Sequence, residues 1–140
     1  MKFFFIEPEV AGALGENTIV DTSVHPPKVH KLHFEFSGWL GDAILETFPC
    51  VLATQSVAEA LERSGATGIQ LAEVEVSTSM DFQDMYPARE VPKLRWLKVH
   101  GEAGKHDFGI AKDLRLVVSE SALEILRPFG IEHAVCEPFA

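Results

Sequence analysis

The chain has 140 residues, of which 46% are apolar and 24% charged, and its formal net charge is −9. This length fits one domain, and this composition excludes a disordered tail, a collagen-like repeat and a disulfide framework. Nucleic acid and anionic lipid are disfavoured partners, because their negative charge would repel the chain. With no membrane-length apolar run and no signal-peptide pattern, we expect residues 1–140 to form a single soluble domain in the cytoplasm.

The first third of the chain carries strand patterns interrupted by breaks. We predict strands over residues 2–6, 17–21 and 28–36. In the third strand apolar and polar residues alternate, which is typical of a half-buried strand. His30 and His33 lie three residues apart in it and would point to opposite faces, so they would not share a metal ion. We expect His30 to lie on the same face as Phe34 and to be partly buried.

The remaining chain alternates strand and helix patterns. The predicted elements are a strand over 50–53, a helix over 57–63, a strand over 69–76, a helical turn over 80–85, a strand over 94–100, a hairpin of 108–110 with 114–118, a helix over 119–129 and a strand over 131–139. Residues 94–100 are apolar on both faces, which indicates a central strand. These elements predict an α+β fold, with a mixed or mainly antiparallel sheet and two or three short helices packed on one side.

Two segments, 50–76 and 115–139, share a strand–helix–strand pattern. In each segment a Ser-x-x-Glu capping box is predicted to begin the helix, and a glycine to end it. The capping residues are Ser56 and Glu59 in the first copy, and Ser121 and Glu124, 65 residues later, in the second. The similarity reflects either chance or an internal repeat. In both cases it is a packing pattern without a nucleophile, metal ligand or phosphate-binding loop.

The sequence has none of the common motifs for phosphate, dinucleotide or zinc binding, and no nucleophile elbow. We therefore predict a protein that is not an enzyme, with no catalytic residue, no cofactor and no metal ion. Cys50 and Cys136 lie among apolar neighbours and are expected to be buried, reduced thiols. The alternative is a small enzyme with a metal or acid–base site at His100, His106 and Asp107, around a glycine-containing loop.

The acidic stretch 73–90 is the predicted partner-binding surface. It contains five carboxylates and one arginine, with aromatic and methionine residues between them, as in many interface cores. The predicted binding residues are Glu73, Glu75, Asp81, Asp84, Tyr86 and Glu90. This charge favours a basic partner. The competing interpretations are an ordinary solvated face and, for the whole chain, a homo-oligomer formed by edge-to-edge pairing of the Phe-rich segment 3–5.

The second half of the chain also carries a family resemblance. A predicted strand reading LVVS leads into a predicted helix that ends near LRPFG. The residues that carry the resemblance are 107–109, 114–126 and 129–131, together with Tyr86-Pro87 and 94–97 upstream. Over about residues 45–139 this pattern resembles polymorphic-toxin immunity proteins of the eleventh numbered immunity family, formerly a domain of unknown function, and their double-CxxCG-motif relatives. The chain lacks the CxxCG pair, so no metal role is carried over.

The resemblance implies a function but no catalytic residues. It implies an immunity protein, or antitoxin, that binds a cognate bacterial toxin inside the producing cell and blocks it by stoichiometric occlusion. The net charge of −9 suits a basic toxin such as a nuclease-type domain. A homodimer remains open at this stage.

Overall fold

The computed structural model describes all residues, 1–140, and has 13 strands, three α-helices and one turn of 3₁₀ helix. The strands are β1 Phe3–Glu7, β2 Gly12–Leu14, β3 Ile19–Asp21, β4 Lys28–Lys31, β5 His33–Phe36, β6 Ile44–Thr47, β7 Cys50–Thr54, β8 Ile69–Ala72, β9 Glu75–Thr78, β10 Leu94–Val99, β11 Phe108–Ile110, β12 Leu116–Ser119 and β13 Val135–Phe139. The helices are α1 Gln55–Ser64, α2 Met80–Met85, α3 Glu120–Leu126 and the 3₁₀ turn Arg127–Phe129. The sheets are mostly antiparallel, which confirms the predicted α+β class. None of the helices combines the length and apolar character that a bilayer-spanning helix needs.

Two four-stranded sheets have the same internal arrangement. The central sheet has the order β6-β7-β10-β8, and the outer sheet has the order β11-β12-β1-β13. In the central sheet β7 and β8, joined through α1, flank the antiparallel β10; in the outer sheet β12 and β13, joined through α3, flank the antiparallel β1. The two similar sequence segments therefore occupy equivalent places. Because β1 is paired on both edges, segment 3–5 has no free edge to offer another copy.

Two predicted strands are each divided in the structure. The predicted strand 28–36 becomes β4 and β5, which belong to different sheets and are separated at the buried Leu32. The break reverses the faces expected for the two histidines, so that His33 is buried and His30 is exposed. The predicted strand 69–76 likewise becomes β8 in the central sheet and β9 in a small sheet of order β2-β5-β9. Alternation along one strand cannot show that the chain changes sheets.

The central sheet separates two hydrophobic cores, because successive side chains of a strand point to opposite faces. On β7, Val51 and Ala53 join the first core, which also holds the apolar faces of α1 and α3 and the inner face of the outer sheet. Cys50 and Leu52 join the second core, together with the small sheet and Phe82 of α2. The second core is rich in aromatic rings and supports the surface described below.

The N-caps of α1 and α3 lie two residues before the predicted capping serines, Ser56 and Ser121. The N-cap residues are Thr54 and Ser119, the last residues of β7 and β12, and each hydroxyl accepts a hydrogen bond from the backbone N–H three residues later. A strand residue already has the extended backbone that an N-cap requires. Ser56 and Ser121 consequently lie inside the first turn, and the predicted capping boxes are wrong. Gly65 does end α1, in the left-handed conformation with φ of 71°.

We expect Ser119→Ala to lower the free energy of unfolding by about 1–2 kcal/mol. Its hydroxyl caps α3 at 3.1 Å from the N–H of Ala122 and also donates to Asp107 at 2.7 Å. Thr54→Ala should cost less, about 0.5–1 kcal/mol, because its capping distance is 3.4 Å. Urea denaturation measures both values. Ser56→Ala is the control and should be nearly neutral; a loss equal to that of Ser119→Ala would contradict these cap positions.

Candidate functional site

The acidic stretch predicted as one surface is divided by β9. Glu73 lies in the loop before this strand and Glu75 is its first residue, whereas α2 begins after its last residue. Four strand residues span about 10 Å between their end Cα atoms. Glu73 and Glu75 are thus at the start of β9, whereas Asp81, Asp84 and Tyr86 follow its end, on α2 and directly after it. Glu90 lies in the loop that leads from α2 to β10.

Glu75 is held in its own polar network. Its carboxylate accepts a hydrogen bond from Asn17 Nδ2 at 2.9 Å and lies 3.5 Å from Lys31 Nζ. The hydrogen bond from Asn17, with the nearby His33 and Lys31, lowers the pKa of Glu75 despite some desolvation. Glu73 lines a shallow groove that also contains Lys93. Both groups are therefore next to basic side chains of the same chain.

Tyr86, one of the other four predicted residues, belongs to a stack of aromatic side chains, and Asp81, Asp84 and Glu90 are its neighbours in the sequence. The Arg89 guanidinium lies over the Trp39 ring at 4.8 Å and over the Tyr86 ring at 5.3 Å. The Tyr86 ring in turn packs against the buried Phe82 of α2 at 5.2 Å between centroids. Cation–π contacts at exposed sites contribute about 0.5–1 kcal/mol each, so they favour this stacked arrangement. The buried Phe82 supports the stack from the side of the core.

Three exposed carboxylates next to this stack have no ion-pair partner in the chain. Asp81 and Asp84 lie on α2 and Glu90 follows Arg89, and none of the six ion pairs of the structure includes them. Two large apolar side chains of α2, Met80 and Met85, are also exposed. We name this surface the aromatic–acidic face, and its residues are Trp39, Asp81, Asp84, Tyr86, Arg89 and Glu90.

Trp39 is the member of this face that the sequence did not place there. It lies 47 residues before Tyr86, in a segment bounded by Gly38 and Gly41, and is half-buried. Its ring packs 6.0 Å from Phe36, and its Nε1 donates a hydrogen bond to the Asp42 carbonyl at 3.0 Å. A glycine-bounded tryptophan was the only available signal, and it does not distinguish a core residue from a surface residue.

A second cluster lies directly behind the Trp39 loop. Glu9 and Asp42 are buried, at 7% and 2% exposure, and His133 is exposed. The backbone N–H of His133 donates to Asp42 Oδ2, and its Nδ1 lies 2.9 Å from Asp42 Oδ1. The hydrogen bond and charge of Asp42 outweigh desolvation and raise the pKa of His133. Ligand-type atoms of all three residues lie within 4.8 Å of one another.

No motif predicted this cluster, because its members are far apart in the chain. Glu9 and Asp42 are 33 residues apart, and His133 follows Asp42 by 91 residues. The loop after α3 brings His133 to the start of β6, where the N–H of Ala43 also donates to the carbonyl of Gly130. Only this tertiary contact joins the three side chains, and it is the one group of three such residues whose ligand atoms converge in the structure.

The alternative site at His100, His106 and Asp107 has a structural role for two of its members. Asp107 Oδ2 accepts hydrogen bonds from the backbone N–H and the hydroxyl of Thr67, and its Oδ1 accepts one from Ser119. His106 Nδ1 accepts from the N–H of Glu102 at 2.8 Å. These bonds fasten the loop before β11 to its neighbours. The carboxylate of Asp107 thus has its acceptor positions occupied by protein donors.

We expect Asp107→Ala to lower the free energy of unfolding by about 1–2 kcal/mol. This value is at the low end for hydrogen bonds to a charged acceptor, because solvent screens part of the charge of Asp107. Burial alone would raise the pKa of Asp107, but the hydrogen bonds from Thr67 and Ser119 lower it below its usual value. Its stabilisation is therefore complete above the unfolded pKa of about 4 and is lost as pH falls through the lowered native value. Denaturation from pH 3 to 7 should show the wild-type advantage shrinking in acid; an advantage independent of pH would contradict this role.

The two cysteines are free thiols in different settings. Burial raises the pKa of Cys50, on β7, to about 12, which keeps it protonated at neutral pH. Cys136 is exposed on β13, so the expectation of a buried thiol is wrong there, and partial desolvation raises its pKa as well. Nucleophilic reactions of cysteine require the thiolate. Neither residue is therefore set up as a nucleophile.

The sequence matches no protein-family model and no curated protein. Two features of the structure bear on function: the aromatic–acidic face, and the separate Glu9–Asp42–His133 cluster behind it.

Proposed function

We propose that this chain is a non-enzymatic binding protein that neutralises a cognate bacterial toxin by 1:1 occlusion, in the cytoplasm of the cell that produces both. The docking surface is the aromatic–acidic face. The observation that carries the proposal is the Trp39–Arg89–Tyr86 stack, with three exposed carboxylates close to Tyr86 and Arg89 in the sequence that have no ion-pair partner in the chain.

The stack has the chemistry of an interface anchor. Trp, Tyr and Arg are enriched among the residues whose truncation costs most binding energy. Trp and Tyr bury large areas with only about two side-chain torsions to fix. Here Phe82, with 1% exposure, supports the stack from below. The rings are therefore held in position before the partner arrives, which reduces the entropy lost on binding.

The negative charge of the three carboxylates favours a partner with a positively charged surface. Charges of one sign on an interface rim accelerate association with an oppositely charged surface and disfavour like-charged proteins. Asp81, Asp84 and Glu90 are not neutralised within the chain, so their field extends into solvent. A basic nuclease-type toxin domain has the complementary charge. The resemblance to immunity proteins supports this class of partner.

A growth-protection experiment tests the proposal. Cells producing the toxin domain encoded by the neighbouring reading frame should survive when they also produce this protein. The triple variant Asp81→Lys, Asp84→Lys and Glu90→Lys should lose protection, because three repulsive charges replace three attractive ones.

The chain offers a control with the same change in charge. Glu16, Glu62 and Glu124 are exposed carboxylates outside the face, and Glu62 and Glu124 lie on α1 and α3. Their triple replacement by lysine should leave protection intact. Equal loss of protection in both triple variants would show that net charge, and not this face, matters, and would contradict the proposal.

A further inference from the structure

We propose that Glu9, Asp42 and His133 bind a divalent transition-metal ion. Each residue supplies one ligand atom, two carboxylate oxygens and one imidazole nitrogen, and these atoms lie within 4.8 Å of one another. A mixed set of carboxylate and imidazole ligands is suited to ions such as Zn²⁺ or Mn²⁺. No feature of the proposed toxin-binding activity requires this ion, so the site is a separate property of the chain.

The balance of charge is the physical reason for the proposal. Glu9 and Asp42 are both more than nine-tenths buried, and the only ion pair of either is the one between Asp42 and His133. Buried carboxylates are costly unless a positive charge compensates them. Two carboxylates and a protonated imidazole leave a net charge of −1, whereas two carboxylates, a neutral imidazole and a divalent cation sum to zero.

The protein positions the two carboxylates before any ion binds. Glu9 Oε2 accepts a hydrogen bond from the N–H of Leu40 at 2.6 Å, and Glu9 Oε1 accepts one from the N–H of Asp42 at 3.2 Å. The N–H of His133 holds Asp42 Oδ2 at 2.9 Å. Such outer hydrogen bonds orient ligating oxygens and are typical of protein metal sites.

His133 connects the buried carboxylates to solvent. Its side chain is 41% exposed, so an ion and a water ligand can reach the cluster from its side. Binding through Nδ1 requires that this atom carries no proton. A protonated imidazole would release its Nδ1 proton to solvent, and a neutral imidazole protonated at Nδ1 would change to the Nε2–H tautomer by exchange with solvent. Three protein ligands and one water would complete a four-coordinate site.

Asp42 and Glu9 also hold the Trp39 loop. The backbone carbonyl of Asp42 accepts a hydrogen bond from the indole N–H of Trp39, and the Glu9 carboxylate accepts one from the N–H of Leu40, the residue after Trp39. An ion that fixes Glu9 and Asp42 therefore also restrains the loop that carries Trp39. We expect the fluorescence of Trp39 to report ion binding, whereas Trp96, in the second core, should not respond.

Titration of the full, chelator-treated chain with Zn²⁺ alone tests this site. Calorimetry should show one saturable site, and the midpoint of thermal unfolding should rise with Zn²⁺ concentration, since the ion binds the folded state. Tryptophan fluorescence should change in parallel, and Trp39→Phe should remove that change. Absence of saturable binding would overturn the proposal.

Variants assign the binding to these residues. His133→Gln changes an exposed side chain and should weaken Zn²⁺ binding by at least about tenfold, the loss seen even for outer-sphere partners. Glu9→Gln should do the same, and circular dichroism checks that it folds. His100→Gln and Cys136→Ser remove other exposed metal-binding groups and should bind Zn²⁺ as the wild type does.

Wild-type affinity in His133→Gln, or loss of binding in His100→Gln or Cys136→Ser, would place any bound ion elsewhere and overturn the proposal. These titrations contain no toxin. Their failure would leave the proposed function unaffected, and a failure of toxin binding would leave the metal site unaffected.

Discussion

Replacing Phe36 with alanine is expected to lower the free energy of unfolding by about 3–5 kcal/mol. Phe36 is fully buried and lies at the centre of the second core. Its ring packs 4.9 Å from Phe34 and 6.0 Å from both Trp39 and Phe82. Truncation leaves a cavity where β5, α2 and the Trp39 loop meet, and the backbone can fill it only in part.

Urea denaturation measures this loss, and Phe129→Ala is the matched control. The ring of Phe129 is 40% exposed at the end of the 3₁₀ turn, so its removal should cost less than about 1.5 kcal/mol. Equal losses for the two variants would show that the aromatic core does not support the fold in the way the packing indicates.

The second large effect concerns binding. Tyr86→Ala is expected to weaken binding of the cognate toxin by about 2 kcal/mol or more, which corresponds to about 30-fold in the dissociation constant. Tyr86 contacts Phe82 on one side and the Arg89 guanidinium on the other, and 37% of it is exposed to a partner. Its removal both deletes an anchor and frees Arg89 to move.

Tyr86→Phe separates the ring from its hydroxyl group. The ring makes the contacts with Phe82 and Arg89, so the phenylalanine variant should bind within a few fold of the wild type. Calorimetric titration of both variants gives the two dissociation constants. Unchanged affinity in Tyr86→Ala, with native circular dichroism, would remove Tyr86 from the interface.

Local patterns predicted the helices and the central strand well, because those depend on short-range periodicity and end signals. The segment 80–85 is helical at those bounds, and residues 94–99 form a central strand between β7 and β8. The breaks at Leu32 and between β8 and β9 were missed. At Leu32 one continuous apolar–polar pattern crosses from one sheet to another, which only tertiary packing decides. In residues 69–76 the apolar pattern slips between Leu71 and Ala72, which indicated a bulge in one strand and not a change of sheet.

The candidate site was predicted in part for the same reason. Tyr86 and its acidic neighbours are close in sequence, so composition alone indicated a surface there. Trp39 joins them only through the packing of the second core, and Glu9, Asp42 and His133 come together only when the loop after α3 reaches the start of β6. Because Glu75 is close to these residues in the sequence, it was also predicted to belong to the face. In the structure it lies at the other end of β9, where Asn17 and Lys31 contact its carboxylate.

Calorimetric titration of the purified neighbouring toxin domain with this protein, at low and high salt, tests the central claim most directly. We expect a 1:1 complex whose affinity falls as salt rises from about 50 mM to about 500 mM, because screening shortens the reach of Asp81, Asp84 and Glu90. The Lys triple variant at these three positions should bind weakly at both salt concentrations. No heat of binding at low salt, or an affinity that neither salt nor the triple variant alters, would contradict the account.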